Sequence, residues 1–473
     1  MGSGIAQVAC LGGIETRLHD PLPEALSEGE RRLRAGMEKG AERGRWSPEE
    51  ADRGAGLLHL AARLDDLAGC ELVIEAAPED LATKRELFAA LAEICGPDTV
   101  LATNTSSLSV AAIAAGAPNP QRVVGMHFFN PPALMKLVEV IAGPDSSDAA
   151  LDLATEAAER MGRTPVRAAD EIGFVGNRCA RPYSLEALRL LGDRVADAPT
   201  IDRICRIGGG FRMGPFELTD LVGVDVNFEV AKSFWEQSFH EPRWQPHPIQ
   251  QQMVSAGRLG RKAGRGYYDY SRDPYRPADP EPQPARNRDT PGREAEDVSR
   301  VDSEEVPRIC VPLVTGSLAE LDEAGGSVGC YVLGPLEDAR LVELTAAEGT
   351  PAAARESAQE HFRSLGLHVE WVGDSPGLVL GRIVCQLVNE AAFALGKGVA
   401  DADGIDTAMR LGFNYPEGPL RWGDRIGLDH VLAVLDALHA ELGEERYRAA
   451  PLLRRLVADG HLGDSTGGGF FGR

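Results

Sequence analysis

The chain has 473 residues, 43% of them hydrophobic and 26% charged, and carries a formal net charge of −23. That length calls for several domains, and that acidity argues against a nucleic-acid binder. The eight cysteines show neither CxxC spacing nor a His/Cys cluster, so free thiols, a cytoplasmic setting and no metal centre are expected. No apolar run nears the roughly 20 residues of a membrane span, and the N-terminus lacks the pattern of a secretion signal.

The first residues, Gly2-Ser-Gly-Ile-Ala-Gln-Val, read as a helix opening on glycines, followed by a short β segment that ends in Asp20. A dinucleotide-binding βαβ unit runs from a strand into GxGxxG, a helix, and a second strand ending in an acid that bonds the ribose. Gly2 then stands as the third glycine and Asp20 as the acid. The first strand and two glycines would lie before Met1. An ordinary glycine-containing helix is the plainer reading of the same residues. Between Asp20 and Glu71 a helical excursion carries Arg31, Arg32, Arg34, Lys39, Arg43 and Arg45, interleaved with Glu28, Glu30, Glu38 and Glu42. It reads equally as a phosphate-facing surface or as a solvated mixed-charge helix.

Next come a buried-type strand at Glu71–Glu75, Glu79, Lys84, a helix from Arg85, a strand at Thr99–Thr103 turning into Asn104-Thr-Ser106-Ser107, and a β segment ending at His127. Alternating strands and helices predict a doubly wound α/β sheet, which binds ligands at strand C-termini. The run Gly125-Met-His127-Phe-Phe-Asn130-Pro-Pro-Ala-Leu-Met-Lys-Leu-Val-Glu139-Val places a histidine at one strand end and a carboxylate inside the next. Imidazole accepts a proton near neutral pH, and a carboxylate can orient it. The plainer alternatives are a strand-capping His127, a solvated strand residue at Glu139, a turn or helix-capping Ser106, and a simple polar helix residue at Asn177.

Taken together, Met1-Gly-Ser-Gly-Ile-Ala-Gln, Asn104-Thr-Ser-Ser-Leu, His127-Phe-Phe-Asn-Pro, Met135-Lys-Leu-Val-Glu-Val, Gly173-Phe-Val-Gly-Asn177-Arg and Gly214-Pro-Phe-Glu-Leu-Thr-Asp220 resemble the 3-hydroxyacyl-CoA dehydrogenase family, in the family's order. The long form with a repeated C-terminal region is similar to 3-hydroxybutyryl-CoA and 3-hydroxyadipyl-CoA dehydrogenases of fatty-acid and aromatic-acid catabolism. The resemblance implies NAD as cofactor and a (3S)-3-hydroxyacyl-CoA as substrate. It implies His127 as general base, Glu139 as its partner, and Ser106 and Asn177 around the reacting oxygen or thioester. It also implies Asn130 near the nicotinamide, and Gly2, Asp20, Glu79 and Lys84 at the cofactor. A non-catalytic acyl-CoA-binding or scaffold protein with a defective NAD site is the alternative.

The second half repeats the first. Arg178 and Arg382, Leu137-Val-Glu139 and Leu341-Val-Glu343, Glu186 and Glu390, and Gly214-Pro215 and Gly418-Pro419 all lie 204 residues apart, which marks a duplication. Asn177 becomes Gly381, and no HFFN-like run precedes Leu341, so the second copy reads as structural. The expected architecture is an N-terminally truncated Rossmann-like domain (1–169), an all-α C-terminal domain (170–270), a disordered linker (271–306), a degenerate Rossmann-like segment (307–375), and a second helical copy (376–473). The two copies form a pseudo-dimer within one chain, and a homodimer remains open.

Overall fold

The computed structural model describes residues 1–280 and 310–472. Most of the expected linker, 281–306, therefore lies outside the described residues. Apart from short 3-10 turns, the chain runs α1 (Gly2–Leu11), β1 (Thr16–His19), α2 (Pro23–Glu42), α3 (Pro48–Ala55), β2 (Leu58–Ala61), β3 (Leu72–Glu75), α4 (Leu81–Ile94), β4 (Val100–Thr103), α5 (Val110–Ala114), β5 (Val123–Phe128), β6 (Leu137–Ala142), α6 (Asp148–Arg160), β7 (Thr164–Ala169) and α7 (Gly176–Cys179). It continues through α8 (Arg181–Gly192), α9 (Ala198–Ile207), α10 (Pro215–Val222), α11 (Val224–Gln237), α12 (Pro248–Ser255), β8 (Cys310–Pro312), α13 (Leu318–Leu321), β9 (Val328–Tyr331), β10 (Leu341–Ala346), α14 (Ala352–Ser364) and β11 (His368–Trp371). It ends with α15 (Leu380–Gly396), α16 (Ala402–Phe413), α17 (Pro419–Ile426), α18 (Leu428–Leu442) and α19 (Pro451–Ala458).

Two compact units emerge. One holds Met1–Asn177 with Gly398–Phe413, and the other holds Arg178–Lys397 with Asn414–Arg473. In the first unit β3 to β7 form a sheet in sequential order, and β1 and β2 pair separately in parallel. All pairs in the larger sheet are parallel except β5 with β6. Strands β4, β5 and β6 are almost entirely buried runs, as a sheet covered on both faces requires. Val124, Met126, Val138 and Val140 pack with Ala154 and Ala158 of α6. Helix starts follow local capping chemistry: Asp80 accepts from the Thr83 amide at the head of α4, and Ser47 and Glu50 form a reciprocal box on α3.

The unit boundary differs from the sequence expectation. Helix α16, read as part of the second copy, belongs to the first unit. Its Gly412 is tight against Leu137, where an added Cβ would come within 2.8 Å, and the Ala169 amide donates to the Val399 carbonyl. Residues 271–280, assigned to the linker, are held in place: Arg206 pairs with Asp279, and the Tyr275 hydroxyl bonds Glu217.

In the second unit β8 to β11 form a sheet whose pattern, parallel then antiparallel then parallel, is that of β4 to β7. The likeness is one of strand order and direction. Helices α8 and α15 pack on each other, and α15 is buried on every face from Leu380 to Ala394, as a central helix is. Equivalent residues pair reciprocally: Arg178 with Glu390, and Arg382 with Glu186, each Nε–Oε1 distance being 2.8 Å. A residue contacting its partner's counterpart in both directions is the signature of a two-fold interface, here between the repeats of one chain.

Candidate active site

Strands β5 and β6 pair so that His127 lies directly opposite Glu139. The histidine Nδ1 is 2.6 Å from Glu139 Oε2. Glu139 is fully buried, and its other oxygen accepts the backbone amides of Val175 and Gly176 at 3.0 and 2.8 Å. Those amides converge because Gly173 (φ 72) and Phe174 (φ 49) both take the left-handed conformation before α7; for a phenylalanine this carries strain, which the site holds in place. A carboxylate accepts only, so Nδ1 carries a proton, and in the neutral ring Nε2 then holds the lone pair. Phe129 and Phe174 flank the imidazole, with ring centroids 4.7 and 5.8 Å away.

The Asn104–Ser107 loop follows β4, the parallel neighbour of β5. Asn104 Oδ1 accepts the Phe128 amide at 2.9 Å and so ties this loop to the strand end bearing His127. Glu79 organises the loop by accepting from the Thr105 hydroxyl, the Ser106 amide and the Ser107 amide and hydroxyl. Burial would raise the Glu79 carboxyl, but the Thr105 and Ser107 hydroxyls, Lys84 and the Ser106 amide outweigh it and hold Glu79 below its ordinary value. The Ser106 side chain is exposed. Asn177 is half-buried on α7, next to the Gly176 whose amide binds Glu139. Asn130 is exposed at the end of the β5 run.

Lys84, expected at the cofactor, lies beneath the loop that Glu79 organises. Its side chain is 1% exposed, with its ammonium 2.7 Å from Glu75 and 3.4 Å from Glu79. The ammonium joins the two carboxylates and braces Glu79. The arginines of α2 likewise turn to their own helix, Arg31 and Arg32 pairing with Glu28 and Arg34 with Glu30. Sequence reading passed over Asn104 Oδ1 and the Val175 and Gly176 amides; only the NTSS and GFVG motifs signalled them.

The remaining parts fit a dinucleotide. Gly2 starts α1, and a Cβ there would meet only Ala76, so backbone can approach a phosphate. The first turn of α1 holds no acidic residue and no side-chain cap, leaving amides and helix dipole for an anion. Asp20 follows β1 with one oxygen on the Leu22 amide, as a ribose-binding acid would stand.

The second copy shows what the same framework does without chemistry. Glu343 accepts the Val379 and Leu380 amides, the counterparts of Val175 and Gly176. Opposite Glu343 stands Tyr331, in the register position of His127. Its hydroxyl bonds His430 Nε2 at 2.9 Å. Its ring fills the space over Gly381, where an added Cβ would lie 2.5 Å from the Tyr331 Cζ. Gly381 replaces Asn177 because Tyr331 leaves no room for a side chain. Burial pushes the Glu343 carboxyl up to about 8, against the pull of the two amides. The expected absence of an HFFN-like run is thus a substitution, Tyr331-Val-Leu-Gly-Pro, legible from the 204-residue offset.

A buried histidine–carboxylate pair on adjacent strands of a largely parallel α/β sheet suits proton transfer beside a dinucleotide. Residues 1–171 match the 3-hydroxyacyl-CoA dehydrogenase NAD binding domain, and residues 173–270 and 377–472 match the 3-hydroxyacyl-CoA dehydrogenase C-terminal domain. The chain belongs to the 3-hydroxyacyl-CoA dehydrogenase family, in its long form with a duplicated C-terminal domain. It is 39% identical over 463 residues to 3-hydroxyadipyl-CoA dehydrogenase of Escherichia coli K12, covering 96% of this chain and 95% of that one. A crystal structure of 3-hydroxybutyryl-CoA dehydrogenase from Escherichia coli K12 superposes with a TM-score of 0.87 at 38% identity over 97% of both chains. A probable 3-hydroxybutyryl-CoA dehydrogenase of Bacillus subtilis is 40% identical over 57% of this chain and 94% of its own.

Proposed function

We propose that the chain oxidises (3S)-3-hydroxyacyl-CoA to 3-oxoacyl-CoA with NAD, at one site in the first unit. The observation that carries this reading is the His127–Glu139 pair, with Nε2 left as the base and both Glu139 oxygens committed. His127 Nε2 takes the proton of the 3-hydroxyl while the C3 hydrogen departs as hydride. Glu139 holds the tautomer and offsets the imidazolium charge. Ser106 and Asn177 donate to the reacting oxygen or the thioester, and Phe129 and Phe174 limit water around the ring. Gly2 and Asp20 hold the pyrophosphate and ribose, with Asn130 near the nicotinamide. Glu79 shapes the loop beneath. Bound NAD supplies the hydride acceptor.

Purified protein should form NADH from 3-hydroxybutyryl-CoA, and comparison of butyryl, longer-chain and adipyl substrates should rank the acyl chain. His127→Gln is expected to lower kcat by about 10³-fold with the fold retained. Near-wild-type turnover in that variant defeats the assignment of the base.

A second reading has its own observation: among the described residues, neither β1 nor β3 has a second strand neighbour. Weak NAD binding with acyl-CoA binding intact, measured by calorimetry, would favour the non-catalytic alternative.

A further inference from the structure

We propose that Phe413, contributed by the second copy of the repeat, is a positioning residue for the His127–Glu139 pair. The inference rests on the dehydrogenase reading and adds a working role to a region read as structural. Phe413 is the last residue of α16, the helix of the second copy that packs on β6 and β7 of the nucleotide domain. The helix stops there because Asn414 turns left-handed at φ 54, which fixes the direction in which Phe413 leaves the backbone.

The ring touches the supports of both members of the pair. Its edge meets Phe129 with centroids 5.7 Å apart and planes at 79°, a favourable aromatic geometry. Phe129 in turn leans on the His127 imidazole at 4.7 Å. The same ring lies against Gly176, where an added Cβ would come within 2.8 Å of Phe413 Cε2. Gly176 donates the 2.8 Å bond to Glu139. Phe413 therefore presses on the imidazole through Phe129 and on the carboxylate through the Gly176 peptide, without itself reaching a reacting atom.

The duplication provides an internal control. Helix α9 is the counterpart of α16, and Gly208, just after its end, approaches Leu341 and Leu380 much as Gly412 approaches Leu137. At the position of Phe413, the turn that follows α9 carries Gly209. The aromatic buttress is thus present on the side facing a histidine and absent on the side where Tyr331 has replaced it. A residue serving only to pack the helix would be needed equally in both copies.

The test uses the full chain. In Phe413→Ala, kcat is expected to fall about 10-fold, with KM for acyl-CoA and NAD within about twofold of wild type. Phe413→Tyr should restore kcat, since it keeps the ring. In a sample labelled at histidine rings, with the His127 signal assigned by its loss in His127→Gln, that signal should move in Phe413→Ala and return in Phe413→Tyr. An unmoved His127 signal overturns the proposal, as does a wild-type kcat in Phe413→Ala. If Phe413→Ala does not fold, Phe413→Leu carries the same measurements. Should the wild-type chain show no NADH formation, the dehydrogenase reading fails, while the ring signal still decides whether Phe413 positions His127.

Discussion

Two histidines in this chain, His127 buried and His430 half-buried, meet opposite partners. His127 faces a carboxylate that can share a positive charge. His430 faces the Tyr331 hydroxyl, a neutral group, and burial pushes the His430 imidazole down to about 4 despite the pull of Asp429. A depressed histidine has a definite effect on stability. Above the ordinary value of 6.5 both folded and unfolded states hold it neutral. Between 6.5 and about 4 only the unfolded state binds the proton, so stability falls as pH drops through that window. The loss attributable to this one side chain is at most about 3 kcal/mol. Melting temperatures of wild type and His430→Gln, followed from pH 7 to about 4, should diverge, with wild type falling more steeply; parallel curves would mean that His430 titrates normally. None of this is legible from sequence, because a lone histidine carries no mark of its burial. Lys84 makes the same point: its motif position was legible, and its enclosure by Glu75 and Glu79 was not.

At the scale of elements, the strand pair β5–β6 and its copy β9–β10 show which features the fold demands and which the chemistry demands. The antiparallel register, the buried glutamate and its two backbone amides persist in both. The left-handed turn persists too, at Gly173-Phe174 and at Gly377-Leu378. Of these, the two glutamates and the glycines of the turn were legible as a constant sequence offset because they are scaffold; the register and the two amides were not. The histidine and asparagine were exchanged as a pair, and the pairing was hidden because only packing links Tyr331 to Gly381. The exchange makes a coupled prediction. Gly381→Asn should destabilise the chain by about 1–3 kcal/mol through overpacking against the Tyr331 ring. Adding Tyr331→His should relieve part of that loss, so the double mutant is more stable than the sum of the single changes implies. Denaturant unfolding of the four proteins measures the coupling, and strict additivity would refute the paired exchange.

At the scale of the whole molecule, the repeat places a dimer-like interface inside one polypeptide. Arg178–Glu390 and Arg382–Glu186 are fully enclosed pairs, reinforced by Arg243 on Glu390 and Tyr447 on Glu186. Enclosed arginines deprived of their carboxylates cost about 3–5 kcal/mol each, so the first copy is poorly suited to stand alone once the second is removed. The Bacillus subtilis relative, which covers 57% of this chain and 94% of its own length, shows that a one-copy chain is a workable length. The site sharpens the requirement, since α16 covers β6 and β7 and only a second copy supplies it. A fragment ending at residue 280 retains Arg178 of α7 and Glu186 of α8 but lacks α15 with Arg382 and Glu390. Two such fragments can restore the interface by setting Arg178 of each against Glu186 of the other, the counterpart of Glu390, with each α9 taking the place of α16. The fragment is therefore expected to run at about twice its chain mass in light scattering, by the two-fold logic of reciprocal contacts, whereas Glu186→Arg in the fragment would set like charges together and shift it toward monomer. A folded, stable monomer of the unmutated fragment would show that the duplicated domain is dispensable to the interface it fills.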